Sequence, residues 1–409
     1  MPFAIVACLA LVLGVLAVAG DRGGEQRAVA PLRPDSVARI AERVEHERGL
    51  RFERRPQPLT VTPRQARREG LASLDADYPP ARRRADAEVL TLLGLVPRGT
   101  DLADTAAETF AESVAGYYDP RSGRLRIVKG AQTANRVLYE MTVAHELTHA
   151  LEDQRFDLDV DELAPGGDRA LAYTALVEGT ATVMMSRYAR ARFGEEELVG
   201  GVVASAFQDS GNLPAFLTAQ LLFPYTSGER FVTRLLAVGG GRWGVVDAAL
   251  RFRPPVSTEQ VMHPRAYLNV EQPRRVSLQG PIAALGTGWR RLRATTFGEW
   301  QTQKLLARAG GTGAHAAAAG WGGDRYALLA RGDARALVAR WTWDSARDAA
   351  EFAAALRAWG DEGLPDSTPA GRDAWRTPTG GAAVARRGRA VALALGPQLS
   401  SARRAARAD

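Results

Sequence analysis

Cysteine and lysine are scarce in this chain of 409 residues, which has one cysteine, Cys8, and two lysines, Lys129 and Lys304. If the segment that holds Cys8 is removed, the mature protein contains no cysteine that an oxidising compartment could oxidise. We therefore expect no disulfide framework. The net charge of +7 rests on arginines. These are interspersed with acids and form no long basic run, which argues against a nucleic-acid partner. No internal repeat of about 20–50 residues is present.

The composition is that of a globular protein. Hydrophobic residues make up 46% of the chain and charged residues 24%, which excludes a disordered, collagen-like or multi-span membrane protein. At about 100–200 residues per domain, the length fits two domains.

The N-terminal residues 3–20 contain no charge. This run predicts a secretory signal peptide, with small residues for cleavage at Ala17-Val18-Ala19. Its length, about 27 Å as a helix, also fits an uncleaved membrane anchor, and both interpretations stay open. Either way we expect the body of the protein to be extracytoplasmic, secreted or tethered to the outer face of the membrane, with residues 21–34 as a flexible linker.

Local patterns predict a mainly helical region over residues 35–270. Asp35 is a candidate cap for a helix whose apolar positions follow the 3, 4, 7 spacing, Thr62-Pro63 begins another helix, and Tyr78-Pro79-Pro80 breaks the chain. Residues 113–129 predict a β-hairpin with its turn at Pro120–Gly123. Helices are expected over 135–156 and 168–192, and further helical segments broken at Pro224, at 239–241 and at 254–255.

The C-terminal part, residues 285–409, alternates between strand-like and helix-like segments. RYALLA, ALVARWTW and AVALAL are strand-like, whereas SARDAAEFAAALRAW is helical. This alternation predicts a separate, smaller α+β domain. The fold class of the whole chain is therefore expected to be α+β.

The sequence HELTH at 145–149 is an HExxH motif inside a stretch without proline or glycine. On a helix, His145 and His149 share one face and can bind one metal ion. Neutral imidazoles suit Zn²⁺, and Glu146 is placed to act as general base on the water at the metal. We therefore expect one Zn²⁺ per chain.

A catalytic zinc site needs a third protein ligand. Position 155 is arginine, so no histidine follows His149 at the spacing expected for a ligand on the same segment. Glu178 is the only charge between Arg169 and Arg187, and a lone carboxylate in an apolar helix is costly unless it is paired or binds metal. Glu178 is thus the preferred third ligand. A buried salt bridge at Glu178, with Asp161, Glu162 or Asp168 as substitute ligand, is the alternative.

These motifs resemble those of the gluzincin class of zinc metallopeptidases, which have HExxH on one helix and a glutamate on the next. HELTHALEDQRFDL, ALVEGTAT and STEQVMHPRAY more closely resemble a group of bacterial extracytoplasmic proteins with HELTHALQDQ and LVEGDA motifs. The resemblance covers about residues 110–270 and implies a zincin-like core. It also implies His145, His149 and Glu178 as ligands, Glu146 as base, and Asp153 as the residue that orients a ligand histidine. Thr180 departs from the aspartate usual in that group.

Three further features are candidates for substrate contacts. Strand GRLRIVKG of the hairpin can serve as the edge strand that pairs with an extended peptide, or as an ordinary sheet strand. Tyr117 and Tyr118 are expected to be core aromatics more than substrate contacts. His263, held after a short helix capped by Ser257, is a candidate oxyanion donor together with Tyr267; the alternative is a histidine bonded to neighbouring backbone.

The sequence thus predicts a zinc metallopeptidase that cleaves a peptide or protein substrate outside the cytoplasm. Two alternatives stay open. One is a non-catalytic extracytoplasmic zinc-binding envelope or binding protein, and the other is a zinc hydrolase that acts on something other than peptides. Glu146 favours catalysis, because a purely structural zinc site has no evident need for an acid between its two histidines.

Overall fold

The computed structural model describes residues 36–103, 116–129, 135–158, 167–194, 213–310 and 313–409. The predicted signal or anchor segment, the linker and the acids Asp161 and Glu162 lie outside these ranges. Helices and strands are both abundant, so the α+β class is confirmed. Within the described ranges, no helix is long and apolar enough to cross a membrane.

The chain forms two compact units. The first contains residues up to 77, 103–163 and 173–254; the second contains 78–102, 164–172 and 255–409. The sequence-based division at about 270 follows chain order, whereas the second unit also takes up residues 78–102. A segment predicted to belong to the helical domain is held there by a buried ion pair, in which Arg293 Nε lies 2.7 Å from Asp86 Oδ1.

The first unit is mainly helical. Its elements are α1 (Val37–Arg48), α2 (Pro63–Asp77), α4 (Arg136–Phe156), most of α5 (Asp168–Arg192), α6 (Ala215–Val238) and α7 (Gly244–Arg251), with strands β1 (Leu59–Val61), β2 (Gly116–Asp119) and β3 (Arg124–Val128). The expected helices 135–156 and 168–192 are confirmed almost to the residue. The reason is local: Asn135 Oδ1 accepts a hydrogen bond from Leu138 N, and Asp157 ends α4 in the left-handed conformation.

Helix caps explain where the early helices begin. Thr62 Oγ1 accepts a hydrogen bond from Gln65 N, as the Thr62-Pro63 pair predicts. The cap of α1 is Ser36, not Asp35: the Ser36 hydroxyl accepts from Arg39 N. The predicted apolar face of α1 is confirmed, because Ile40, Ala41 and Val44 are buried. The predicted break is also confirmed, since α2 ends at Asp77.

The hairpin is confirmed, but β3 is not an edge strand. β2 pairs antiparallel with β3, and β1 pairs parallel with the other side of β3, giving the order β1-β3-β2 among the described strands. The expectation that GRLRIVKG offers a free edge is therefore wrong. Its backbone groups are shared with two neighbours, because the three-residue β1 occupies the side that was expected to be open.

Helices α5 and α6 cross with their backbones in contact. A methyl group at Gly179 would lie 2.3 Å from the carbonyl carbon of Gly228, and one at Gly228 would lie 2.0 Å from the carbonyl oxygen of Ala175. Only glycine permits this approach. Pro224 was expected to break the helical pattern, but it lies inside α6. Proline removes one hydrogen-bond donor from a helix, and a helix can continue past it when packing holds both halves.

The second unit is built on a seven-stranded sheet. Its strands are β4 (Arg290–Thr295), β5 (Trp321–Arg331), β6 (Ala334–Trp343), β7 (Thr368–Pro369), β8 (Ala374–Thr377), β9 (Gly380–Arg387) and β10 (Ala390–Gly396), in the order β4-β5-β6-β10-β9-β8-β7 with antiparallel neighbours. Its helices are α3 (Pro80–Leu92), α8 (Thr258–Met262), α9 (Pro264–Leu268), α10 (Gln279–Ala283), α11 (Gly298–Leu306), α12 (Ala314–Ala318), α13 (Ala346–Ala358) and α14 (Leu399–Arg407).

Both faces of this sheet are covered. One face carries small side chains, among them Ala327, Ala336 and Ala394, which form a core with Leu278 next to α10 and Ala402 of α14. The other face is aromatic, with Phe352 of α13 packed on Trp341 and Trp343. The β and α segments predicted from the sequence are confirmed, whereas the helices α9, α10, α12 and α14 and the short strands β7 and β8 were not predicted.

Candidate metal centre

Helix α4 presents both histidines of the HExxH motif on one face. The His145 and His149 ring centroids lie 4.7 Å apart, and both residues are buried. This arrangement follows from the i, i+4 spacing in the middle of a helix of 21 residues.

Glu178 of α5 meets the two histidines. Its Oε2 lies 3.1 Å from His145 Nε2 and 3.4 Å from His149 Nε2, and the two Nε2 atoms are 3.0 Å apart. Ligand atoms held about 2.0–2.1 Å from a tetrahedral ion would be separated by about 3.3–3.4 Å. The three atoms therefore approximate one face of such a tetrahedron, and this buried group could hold a metal ion.

The charges at this centre are strongly coupled. Burial acts to raise the pKa of Glu178, but His149 and His145 outweigh it and hold the pKa near 2. Burial lowers the pKa of His145. It acts in the same sense on His149, where the Glu178 carboxylate prevails and raises the pKa to about 9. Glu178 therefore stays charged beside the two imidazoles, and one carboxylate with two imidazole nitrogens is a donor set suited to a cation that displaces the proton of His149.

Glu146 is held by strand β2 through one of its two oxygens. Its Oε2 accepts a 2.8 Å hydrogen bond from Tyr118 N. Its Oε1 is buried and has no hydrogen-bond partner among the described residues. Burial raises the pKa of this carboxyl to about 8, although the nearby His149 acts in the opposite direction. Oε2 is thus fixed by a hydrogen bond, and Oε1 is available to accept a proton, as a general base requires.

The Glu146 contact also changes how β2 can be used. Tyr118 N donates to Glu146, so at this position the outer side of β2 is already occupied. The N–H of Tyr118 is therefore not free to pair with an extended peptide, which was the role expected of the hairpin. Tyr118 is buried, as the interpretation as a core aromatic predicts, and Tyr117 is buried too, with its hydroxyl donating to Glu69.

Asp153 lies two turns beyond Glu146, and its carboxylate accepts hydrogen bonds from two other segments. One comes from the Tyr118 hydroxyl, 2.8 Å away, and the other from Leu158 N, 3.1 Å away. The resemblance implied that Asp153 orients a ligand histidine, yet the Nδ1 atoms of His145 and His149 are buried without a hydrogen-bond partner in the described part of the chain. In this structure Asp153 fastens β2 and the turn after α4, and its role in orienting a ligand histidine stays a prediction. Thr180, where the related group has aspartate, donates to Leu176 O within its own helix.

Two buried acids fasten α4 on either side of the histidines. Glu140 accepts from the Tyr188 hydroxyl and from Arg192 of α5, at 2.8 and 3.1 Å. Glu152 accepts from Arg48 Nε of α1 at 2.7 Å. The Arg48 guanidinium also contacts the ring of Trp243, with 4.3 Å to the centroid. Buried charges are tolerated when paired in this way, and these pairs fix the helix that carries the two histidines.

Tyr225 is a neighbour of the centre that the sequence reasoning missed. It is buried on α6, and its ring centroid lies 6.2 Å from that of His145. The Gly179–Gly228 contact brings α6 this close, and Tyr225 lies one turn before Gly228. A glycine at 228 inside a helical pattern was the available signal, because such a glycine often marks a close helix crossing.

The remaining predicted residues lie elsewhere in the chain. His263 follows α8, whose cap Ser257 accepts from Gln260 N as predicted. Its Nε2 lies 2.9 Å from Oε1 of the buried Glu299, so it bonds a side chain and not the neighbouring backbone of the alternative interpretation. Tyr267 is buried on α9. Both residues belong to the second unit, and their role as oxyanion donors stays a prediction.

The substitute ligand Asp168 is engaged at the start of α5. Its Oδ1 accepts hydrogen bonds from the backbone N and the hydroxyl of Thr258. Among the described residues, the acid that lies with His145 and His149 is Glu178. Of the two weighed acids that the structure describes, Glu178 and Asp168, Glu178 is the one that the fold brings to the histidines; Asp161 and Glu162 lie outside the described residues.

Comparisons with known proteins bear on the C-terminal part. Residues 287–406 match a family described as "Domain of unknown function (DUF8575)". No curated protein and no solved structure matches the chain. The matched segment covers less than a third of the chain and lies in the second unit, whereas His145, His149 and Glu178 lie in the first.

Proposed function

We propose that the protein is a zinc-dependent metallopeptidase of the gluzincin type, with a zincin-like core in its first unit. One observation carries the proposal. Three ligand atoms from an HExxH helix and a following helix converge at 3.0–3.4 Å in a buried site, and the acid between the two histidines has one unpartnered oxygen.

The donor set supports zinc over harder cations. Two imidazole nitrogens and one carboxylate oxygen match the ligands of catalytic zinc sites, which leave a fourth position open, whereas calcium and magnesium prefer sites made of oxygen ligands. Bound there, a zinc ion would supply a Lewis acid for a substrate carbonyl and lower the pKa of water.

The chain's own residues have separate tasks in this proposal. His145, His149 and Glu178 hold the metal. Glu146 takes up a proton at Oε1 while Tyr118 N keeps its other oxygen in place, so the carboxylate does not need to reorient. A protein or peptide is the proposed substrate, met outside the cytoplasm as the run at 3–20 predicts.

The test compares two substitutions that separate base from ligand. Glu146→Gln should keep about one zinc per chain and the wild-type fold but lose peptide cleavage by several orders of magnitude, since it removes the base and leaves the ligands. Glu178→Ala should lose zinc. Asp168→Asn is the matched control, a buried acid on the same helix whose change should leave zinc content unaltered.

Metal content by mass spectrometry and cleavage of a fluorescent generic protein substrate, with and without chelator, give the readouts. Equal cleavage by wild type and Glu146→Gln would refute the catalytic role of Glu146. Zinc binding without any cleavage by wild type would favour a zinc-binding envelope or binding protein. Full zinc content in Glu178→Ala would remove the assignment of the third ligand.

A further inference from the structure

The second unit contains a cavity of about 370 Å³ that the proposed peptidase chemistry does not use. It lies between α10 and the strands β4 and β5. Three of its lining residues are apolar and partly exposed, namely Val276 and Ile282 from the α10 side and Ala294 from β4, whereas the apolar lining residues Leu278 and Ala327 are buried. Apolar cavities of about 300–1,000 Å³ with a few well-placed polar groups are typical of small-molecule sites.

Two arginines line the same cavity. Arg291 of β4 and Arg325 of β5 are exposed, and neither forms an ion pair with any described residue. Arg325 also lies directly opposite Arg340 of β6 in the antiparallel register. Like charges in opposite positions of neighbouring strands repel each other, so an anion near Arg325 would be favoured.

An acid of the protein lies at this face of the sheet but pairs with arginines other than Arg291 and Arg325. Asp409 is ion-paired with Arg340, at 3.7 Å, and with Arg387 of β9. Asp409 thus balances Arg340 and Arg387, whereas Arg325 and Arg291 have no acid within ion-pair distance in the part of the chain that the structure describes.

We infer that this cavity binds a single-chain anionic amphiphile, with its apolar chain against Val276, Ile282 and Ala294 and its carboxylate at Arg291 and Arg325. The cavity volume suits one chain, and guanidinium groups bind carboxylates through paired hydrogen bonds. The inference is independent of the proposed metal chemistry.

The test uses the full chain and a fluorescent fatty acid, 11-(dansylamino)undecanoate, below its aggregation concentration and in the presence of chelator. We expect saturable binding to wild type. Arg291→Gln and Arg325→Gln should each weaken it by about tenfold, the effect of losing one charged contact. Arg376→Gln, which changes an exposed arginine on β8 of the same sheet, is the matched control and should bind as wild type does.

Two further arms test chain and charge separately. Ala283→Trp, at an exposed position of α10 that lines the cavity, should block the chain while leaving circular dichroism and melting temperature unchanged. The methyl ester of the same probe should bind the wild type at least about tenfold more weakly than the acid does. No saturable binding by wild type, equal binding of acid and ester, or full binding by the Arg291→Gln, Arg325→Gln double variant would each overturn the inference.

Discussion

The contact between Gly179 and Gly228 predicts that one methyl group will disturb both stability and the metal centre. In Gly228→Ala the new carbon would lie 2.0 Å from Ala175 O and 3.1 Å from the Cα atom of Gly179. These are backbone atoms, which cannot turn aside as a side chain does. The two helices must separate by about 1 Å to restore ordinary van der Waals distances.

The size of the effect follows from two opposing contributions. Overpacking a close contact costs about 1–3 kcal/mol, and alanine in place of glycine inside a helix returns about 1 kcal/mol. Because only backbone movement relieves the overlap, we expect a net loss of about 2 kcal/mol. For a unit of about 150–250 residues this corresponds to a melting temperature about 4–8 °C lower.

If the protein binds zinc as proposed, the same displacement should weaken metal binding. Glu178 precedes Gly179 on α5, and metal–ligand distances tolerate changes of only about 0.2 Å. We expect zinc affinity to fall by about 10–100-fold, as it does when residues that support ligands are changed. Thermal unfolding followed by circular dichroism and zinc competition with a chromophoric chelator measure the two effects.

Gly244→Ala is the control for this substitution. Gly244 begins α7, and a methyl group there would meet no atom within 4 Å. This variant should be at least as stable as the wild type and should bind zinc equally well. A Gly228→Ala protein with wild-type melting temperature and zinc affinity would refute the reasoning.

Two other predictions concern Tyr225 and His263. If the Tyr225 hydroxyl stabilises the developing oxyanion, Tyr225→Phe should lower kcat by about 10²–10³ at constant zinc content, whereas Tyr188→Phe, a buried hydroxyl bound to Glu140, should not. His263→Ala tests the oxyanion donor predicted from the sequence by the same assay. If either variant keeps full kcat, the residue that it replaces is not the oxyanion donor. The hydrogen bond to Glu299 raises the pKa of His263, so its protonated form is stabilised by folding. Urea titrations measure the difference in unfolding free energy between wild type and His263→Gln. This difference should have its largest value below about pH 6.5 and should vanish as the pH rises through the pKa of His263 in the folded protein. A difference that stays constant from acid to alkaline pH would contradict this.

Residues whose position depends on local helical geometry were predictable. His145, His149 and the bounds of α4 and α5 follow from spacing and caps, and Glu178 was identified because a single carboxylate in an apolar helix needs a partner. That partner turned out to be the pair of histidines.

Contacts set by distant segments were not predictable. Tyr225 reaches the centre through a glycine contact between helices about fifty residues apart in sequence. The three residues of β1 are too few to be recognised as a strand, yet their pairing moves β3 from the edge of the sheet to its centre. The bond from Tyr118 N to Glu146 was hidden as well, because a backbone donor leaves no mark in the amino-acid sequence.

The use of a backbone donor for Glu146 has an evolutionary consequence. Any residue except proline at position 118 retains the N–H that holds the carboxylate. The side chain there can therefore change without releasing Glu146, at the cost of the bond from the Tyr118 hydroxyl to Asp153. The orientation of the acid is thus robust to drift at this position, and sequence variation at 118 would carry little information about whether the site is still intact.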